Sequence, residues 1–102
     1  MEETQMTTKV TTQVRRDDER QRYEISVDGE IAGFADFSER GDTVIFPHTE
    51  ISSGKQGRGL AAQLVRAALD DVRSRGQKVV PSCWYVARYI DGHPAYADLV
   101  AS

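Results

Sequence analysis

The chain holds a single cysteine, Cys83, in 102 residues. An internal disulfide is excluded, and so is a cysteine-rich zinc site. A domain of this size without staples rests on its apolar core alone, and this cysteine usage points to a reduced, cytoplasmic setting. Histidine is nearly as scarce. His48 and His93 are far apart in sequence, so no metal is expected. No apolar run approaches the ~18–20 residues of a membrane span, so no membrane partner is expected. The opening MEETQMTTK is polar and acidic, unlike a secretory signal. Positive charge is not in excess either: 13 Lys and Arg face 16 Asp and Glu, a net charge of −3. Phosphate backbones need a positive surface, so nucleic acid is not expected as a partner. What is present is a folded-domain composition, 39 % hydrophobic and 28 % charged.

Residues 1–13 read as a flexible N-terminal lead and 14–102 as one domain. Val10–Gln13 could add a weak strand, and Arg15–Arg20 reads as a solvated loop. Tyr23, Ile25 and Val27 alternate with polar residues, the period of a strand with one buried face. Asp28-Gly29 then predicts a tight hairpin turn, because both central positions need positive φ. Ile31–Phe37 is the return strand, with Gly33 as a weak spot or bulge. After a turn at Glu39–Asp42, Thr43–Ile51 reads as a third strand. Pro47 cannot donate to the ladder, so a bulge or bend is expected there, with pairing lost on one side. A helix follows to about Arg75, with Ala61, Leu64, Val65, Ala68, Leu69 and Val72 as its apolar stripe and Gly76 as its stop. Lys78–Pro81 is a short strand. A strand, a helix and a strand make a crossover, so this last pairing should be parallel. Ser82–Ile90 and Ala95–Val100 are short helices separated by Gly92-His93-Pro94. The expected fold class is α+β: an antiparallel meander, one βαβ crossover and short C-terminal helices.

The loop Ser52–Gly59 is rich in small residues and runs straight into the long helix. Helix N-termini carry free N–H groups and the positive end of the dipole, which together suit phosphate. Arg58, read as part of the first turn, is unfavourable for the dipole unless an anion sits there. The P-loop pattern fails, because Leu60-Ala61 stands where Lys and Ser or Thr are needed. The dinucleotide pattern matches weakly at Gly57, Gly59 and Ala62, but the next strand ends in Pro81-Ser82-Cys83, without the acidic residue that holds a ribose. The pattern Gln/Arg-x-x-Gly-x-Gly/Ala fits at Gln56, Gly59 and Ala61.

This last segment resembles the acetyl-coenzyme A loop of the GNAT superfamily of N-acetyltransferases. The order of elements is similar too. Asp28-Gly29, His48-Thr49-Glu50, Gly57-x-Gly59-x-Ala61, Pro81-x-Cys83 and His93-Pro94-x-Tyr96 follow one another as in the small YjdJ-type acetyltransferases. The resemblance spans Arg22 to Val100. It implies a minimal GNAT-like fold, with the amides of Gln56, Gly57, Arg58, Gly59, Leu60 and Ala61 around the pyrophosphate of coenzyme A. It implies acetyl-coenzyme A as cosubstrate and an amine as acceptor. It leaves the acceptor unnamed and sets no oligomeric state. Larger members add strands after the Pro81 strand that help to build the acceptor pocket.

The resemblance gives three polar residues candidate catalytic roles. Glu50, at the end of the strand before the loop, stands where a carboxylate takes the amine's proton, often through water; it could equally be a solvated carboxylate. His48 suits general-base work near neutral pH, or it is a structural histidine bonded to backbone. Cys83 follows the second parallel strand, beside the groove for the pantetheine arm. An acetyl-accepting nucleophile, a residue packed on the cofactor, a mixed disulfide with coenzyme A and an inert buried thiol are all open readings. His93 reads as an anchor of the last turn. Two functions follow: an acetyl-coenzyme A-dependent acyltransferase, or a coenzyme A or acyl-coenzyme A sensor without turnover. A protein-interaction domain with no ligand is the blander third.

Overall fold

A computed structural model describes residues 11–101. Part of the expected N-terminal lead therefore lies outside the described residues. The strands are β1 (Thr12–Asp17), β2 (Arg22–Val27), β3 (Glu30–Arg40), β4 (Thr43–Ile51) and β5 (Lys78–Val80). They form one sheet in sequence order, antiparallel except for the parallel pair β4–β5. The helices are α1 (Leu60–Ser74), which links β4 to β5, and α2 (Trp84–Asp91), followed by a 3₁₀ helix at Pro94–Leu99. This is the expected α+β plan.

Local chemistry explains most of the elements. Asp28 and Gly29 both take positive φ, 50° and 88°, which closes the β2–β3 hairpin. One extra residue in β3, Ala32, shifts the β2–β3 register beside Gly33. Gly33 has a packing reason as well. A Cβ there would lie 2.5 Å from Ile51 Cδ1 and 2.6 Å from the Glu50 carbonyl, so only glycine lets β3 and β4 approach so closely.

The stretch from Arg15 is not the expected solvated loop; its first half is strand β1. The reason is long-range. Arg16 is only 8 % exposed in its side chain and pairs with Glu39 at 3.0 Å and Asp71 at 3.8 Å. Its guanidinium lies 4.3 Å from the centre of the Phe37 ring. Arg16 Nη1 donates to Tyr23 Oη (3.0 Å), which donates to Asp71 (2.6 Å), and Asp71 also accepts from Arg75 (2.7 Å). Burial disfavours the charge on Arg16, but its hydrogen bonds to Asp18, Tyr23 and Glu39 prevail and hold it protonated. Burial and the bond to Asp71 push the Tyr23 hydroxyl up to about 12.

The core lies on one face of the sheet. Tyr23, Ile25, Ala35, Phe37, Val44, Phe46 and Val79 meet Leu64, Val65, Ala68, Leu69 and Val72 of α1, with Val86 and Ile90 of α2 and Leu99 in the same cluster. Five of the six residues of the expected α1 stripe are buried; Ala61 is only half-buried and lines a cavity instead, and Leu60 takes its place in the core. At the far edge Val100 bridges to Val79, and the Ala101 amide donates to the Val79 carbonyl (2.9 Å).

Candidate functional site

Proline shapes the centre of the molecule. Asp36 pairs with His48 and Ser38 with Ile45, so β4 carries one residue more than β3 across Phe46-Pro47. This is the bulge expected at Pro47, and it reverses which face each later residue takes. Val44 and Phe46 point into the core before it; Thr49 and Ile51 take the core side after it, while His48 and Glu50 are exposed on the other side. On the opposite edge, β4–β5 pairing ends at Ile45–Val80, next to Pro81. One further bond, from the Cys83 amide to the Phe46 carbonyl (2.7 Å), closes the contact. Beyond it β5 has ended, and the edge of β4 from His48 to Ile51 has no strand partner on this side among the described residues.

The end of this edge, at Ile51, lies at the start of α1. Gly54, Gly57 and Gly59 all have positive φ, 86°, 81° and 73°, and wrap the loop around the helix entrance. Gly59 is the N-cap, which places Arg58 one residue before the cap rather than in the first turn. No side chain caps the helix, and its first turn has no acidic residue. The first intrahelical bond runs from the Gln63 amide to the Gly59 carbonyl (3.1 Å). The amides of Leu60, Ala61 and Ala62 thus lack helical partners and carry the positive end of the dipole. They border a cavity of about 320 Å³ lined also by Gln56, Gly57 and Gly59. Gln56 reaches back to the Ile51 carbonyl (3.4 Å) and ties the loop to β4. Arg58 is exposed and does not line this cavity.

Four lining residues lie outside the predicted set: the apolar Ile51 and Ala62, and the polar Lys55 and Tyr85. Lys55 brings a cation to the cavity and lies 3.6 Å from Glu30. Its place inside a glycine-rich, positively ended loop was the available signal. Tyr85 lines the opposite wall from α2; only the packing of α2 against the rest of the fold puts it there.

His48 and Glu50 meet directly: Nε2 lies 3.0 Å from Oε1. Cys83 is the N-cap of α2 and is partly buried, with Sγ 3.6 Å from Thr49 Oγ1. The structure therefore joins His48 to Glu50 and Cys83 to Thr49, on opposite sides of β4. His93 stands apart. Its ring stacks on Tyr89 at 3.9 Å and its Nδ1–H donates to the Tyr89 carbonyl (2.7 Å), as suits an anchor.

The fold is thus a mixed sheet bulged at Pro47, with an uncapped helix N-terminus just past the end of β4. The profile of the GCN5-related N-acetyl-transferase family matches residues 22–99. The chain belongs to this family. Among solved structures it is similar to a GCN5-like protein from Staphylococcus aureus, with a TM-score of 0.67 at 15 % identity over 88 % of each chain. It is also similar to a GNAT family acetyltransferase of Brucella melitensis solved with acetyl-CoA, with a TM-score of 0.53 at 19 % identity over 67 % of this chain and 50 % of that one. At such identities the likeness is one of fold. Among curated proteins, human protein NATD1 is 40 % identical over 47 residues, which is 46 % of this chain and 42 % of that protein. NATD1 of Xenopus tropicalis is 38 % identical over 52 residues, 51 % of this chain and 48 % of that protein. The match thus spans about half the length of these relatives.

Proposed function

We propose that this protein binds acetyl-coenzyme A and transfers its acetyl group to an amine. The observation that carries this reading is the bare N-terminus of α1 opening onto a cavity at the end of β4. Unpaired amides at a helix start are an anion site, and the family's members use a thioester carried on a diphosphate. The amides of Gln56–Ala61 would hold the pyrophosphate, with the Lys55 side chain beside it. The β4 edge left unpaired past the end of β5 supplies a backbone N–H to the thioester carbonyl, which favours the charge that develops on its oxygen.

An ammonium group cannot attack a thioester, so a base must first remove a proton. The His48–Glu50 pair fits this role, since the carboxylate 3.0 Å away orients the ring. Cys83 lies just past the end of β5, where the thiol end of the pantetheine arm would come. Acetyl transfer through Cys83 or directly to the amine are the two routes open to this geometry. On the order of its motifs we also read the chain as a small YjdJ-type acetyltransferase working in a reduced, cytoplasmic setting that keeps Cys83 a thiol.

The test joins calorimetric titration of coenzyme A to intact-mass spectrometry after incubation with acetyl-coenzyme A. Binding plus an acetyl adduct that disappears in Cys83→Ala supports the covalent route, once spontaneous acetylation is subtracted. Binding without adduct supports direct transfer if an amine is consumed, and a coenzyme A sensor if none is. No binding by the folded protein overturns the reading.

A further inference from the structure

The two faces of the sheet are unlike. The helices bury one, whereas no described element packs on the other, where Ile31 is 53 % exposed and Val80 37 %. His48 and Glu50 stand on this open face, with side chains 54 % and 58 % exposed. The cross-strand register sets Arg22, Asp36 and His48 in one row and Glu24, Phe34 and Glu50 in the next. Arg22 is taken up by Glu24 (2.8 Å) and lies 4.6 Å from the centre of the Phe34 ring. Asp36 has no ion-pair partner among the described residues, and Glu50 has only His48. Around His48 the face is thus partly apolar and its charge, from Asp36 and Glu50, is negative, while Arg40, without an ion-pair partner among the described residues, stands on the same face at the far end of β3 opposite Thr43.

Small ligands are held in concave sites that enclose most of their surface. Neither His48, Glu50 nor Asp36 lines the cavity at the start of α1, or those beside β1 and beside Tyr89. An exposed base on an open face suits an acceptor that brings its own bulk, and the unpaired Asp36 carboxylate beside it suits one that is positively charged. We propose that the acceptor is an amine borne by a basic segment of another protein, laid across the open face against Asp36 and Glu50. This rests on the acetyl-transfer reading. The β4–β5 pairing ends at Ile45–Val80, and the amine would reach the thioester past that end, between His48–Glu50 and Cys83. The ammonium gives one proton to the His48–Glu50 pair. The N–C bond then forms as the C–S bond breaks, and the amine's second proton goes to the leaving thiolate, which departs as free thiol.

The experiment compares three acceptors on the full chain with saturating acetyl-coenzyme A. They are a capped peptide with one lysine between arginines, the same peptide with glutamates in place of the arginines, and n-butylamine. The basic peptide should have the highest kcat/KM, with an advantage that shrinks as salt rises. Asp36→Lys should raise its KM ~5-fold while leaving the calorimetric affinity for coenzyme A unchanged. Equal or better use of n-butylamine or the acidic peptide overturns the proposal, as does an unchanged KM in Asp36→Lys or no transfer to the basic peptide despite coenzyme A binding. Acetyl gained on the chain's own amines instead of the peptide overturns it in favour of a second copy as occupant. Failure to bind coenzyme A at all overturns the parent reading, and this one with it.

Discussion

The two ends of α1 are built to opposite rules. At the C-terminal end Asp71 sits among Tyr23, Arg75 and Arg16, and the contacts bind β1, β2, β3 and α1 together. A carboxylate in the last turn is unfavourable for the helix dipole, but here the surrounding cations and hydroxyl reverse that. At the N-terminal end nothing reverses anything. No side chain caps the helix, and three glycines hold the loop clear of its amides. The difference teaches where to look for function in a small domain. Polar groups that already have partners hold the fold; those left without partners are available to a ligand.

The sharpest way to break this contrast is to remove its structural centre. Arg16→Ala strands Glu39, Asp71 and Tyr23 without their shared cation. Breaking a buried pair costs ~3–5 kcal/mol, and the partly exposed carboxylates place this case near the lower end. Urea unfolding should therefore show a loss of about 3 kcal/mol. Coenzyme A affinity of the protein that remains folded should be unchanged. Gly33→Ala should follow at about 2 kcal/mol, the scale of overpacking in a tight site. Its clash is with the backbone of Glu50 and the side chain of Ile51, so here the β4 end should move too, and any acetyl transfer should fall with stability.

Ala61→Glu sharpens the contrast by giving the two ends the same rule. A carboxylate in the first turn of α1 complements the dipole, worth ~0.3–1 kcal/mol of added stability. The same charge occupies the place of an anion. Coenzyme A binding should weaken at least ~10-fold, about 1.4 kcal/mol, while Tm holds or rises. A loss of binding together with a loss of stability would mean that the loop is structural after all.

The same contrast governs what the sequence made legible. The Asp28-Gly29 turn, the Pro47 bulge and the α1 stripe are local signals, set by residues within a few positions of one another. The glycine spacing before α1 is local too, so the bare helix start could be read. Strand β1 was legible only at its start, as a weak strand up to Gln13; its continuation through Arg15–Asp17 was not. Its Arg16 is buried because Asp71 lies 55 residues on in the chain and folds back beside it, and nothing in the run RRDDER reports that partner. For the same reason Tyr85 was missed as a cavity wall, since α2 places it there only through tertiary packing. The meeting of His48 with Glu50 follows from strand alternation. That they stand on the opposite side from Cys83 depends on the bulge, which a regular strand would not show.

The smallest effect at neutral pH, and the most telling across pH, comes from the ionisable groups at the C-terminal end of α1. Burial pushes the Asp71 carboxyl up, but the hydrogen bonds it accepts from Tyr23 and Arg75 outweigh this and hold it below its ordinary value. Glu39 is held low by its bonds from Gln77 and Arg16. A carboxylate with a depressed folded pKa adds stability above its unfolded value, and loses it as pH falls through the folded one. Tyr23 works in the other direction. Its hydroxyl is raised to about 12, so the stability it adds is present below the unfolded value near ~10 and is lost as pH climbs from there toward the folded one. Thermal melts should be flat from about pH 6 to 9, and should fall below about pH 4.5 and above about pH 10. In Arg16→Ala the acid fall should be shallower, because Asp71 and Glu39 lose a cation that depresses them. An acid fall of the same depth in that variant would move the titrating groups away from this end of the helix, and the contrast between the two ends would lose its electrostatic basis.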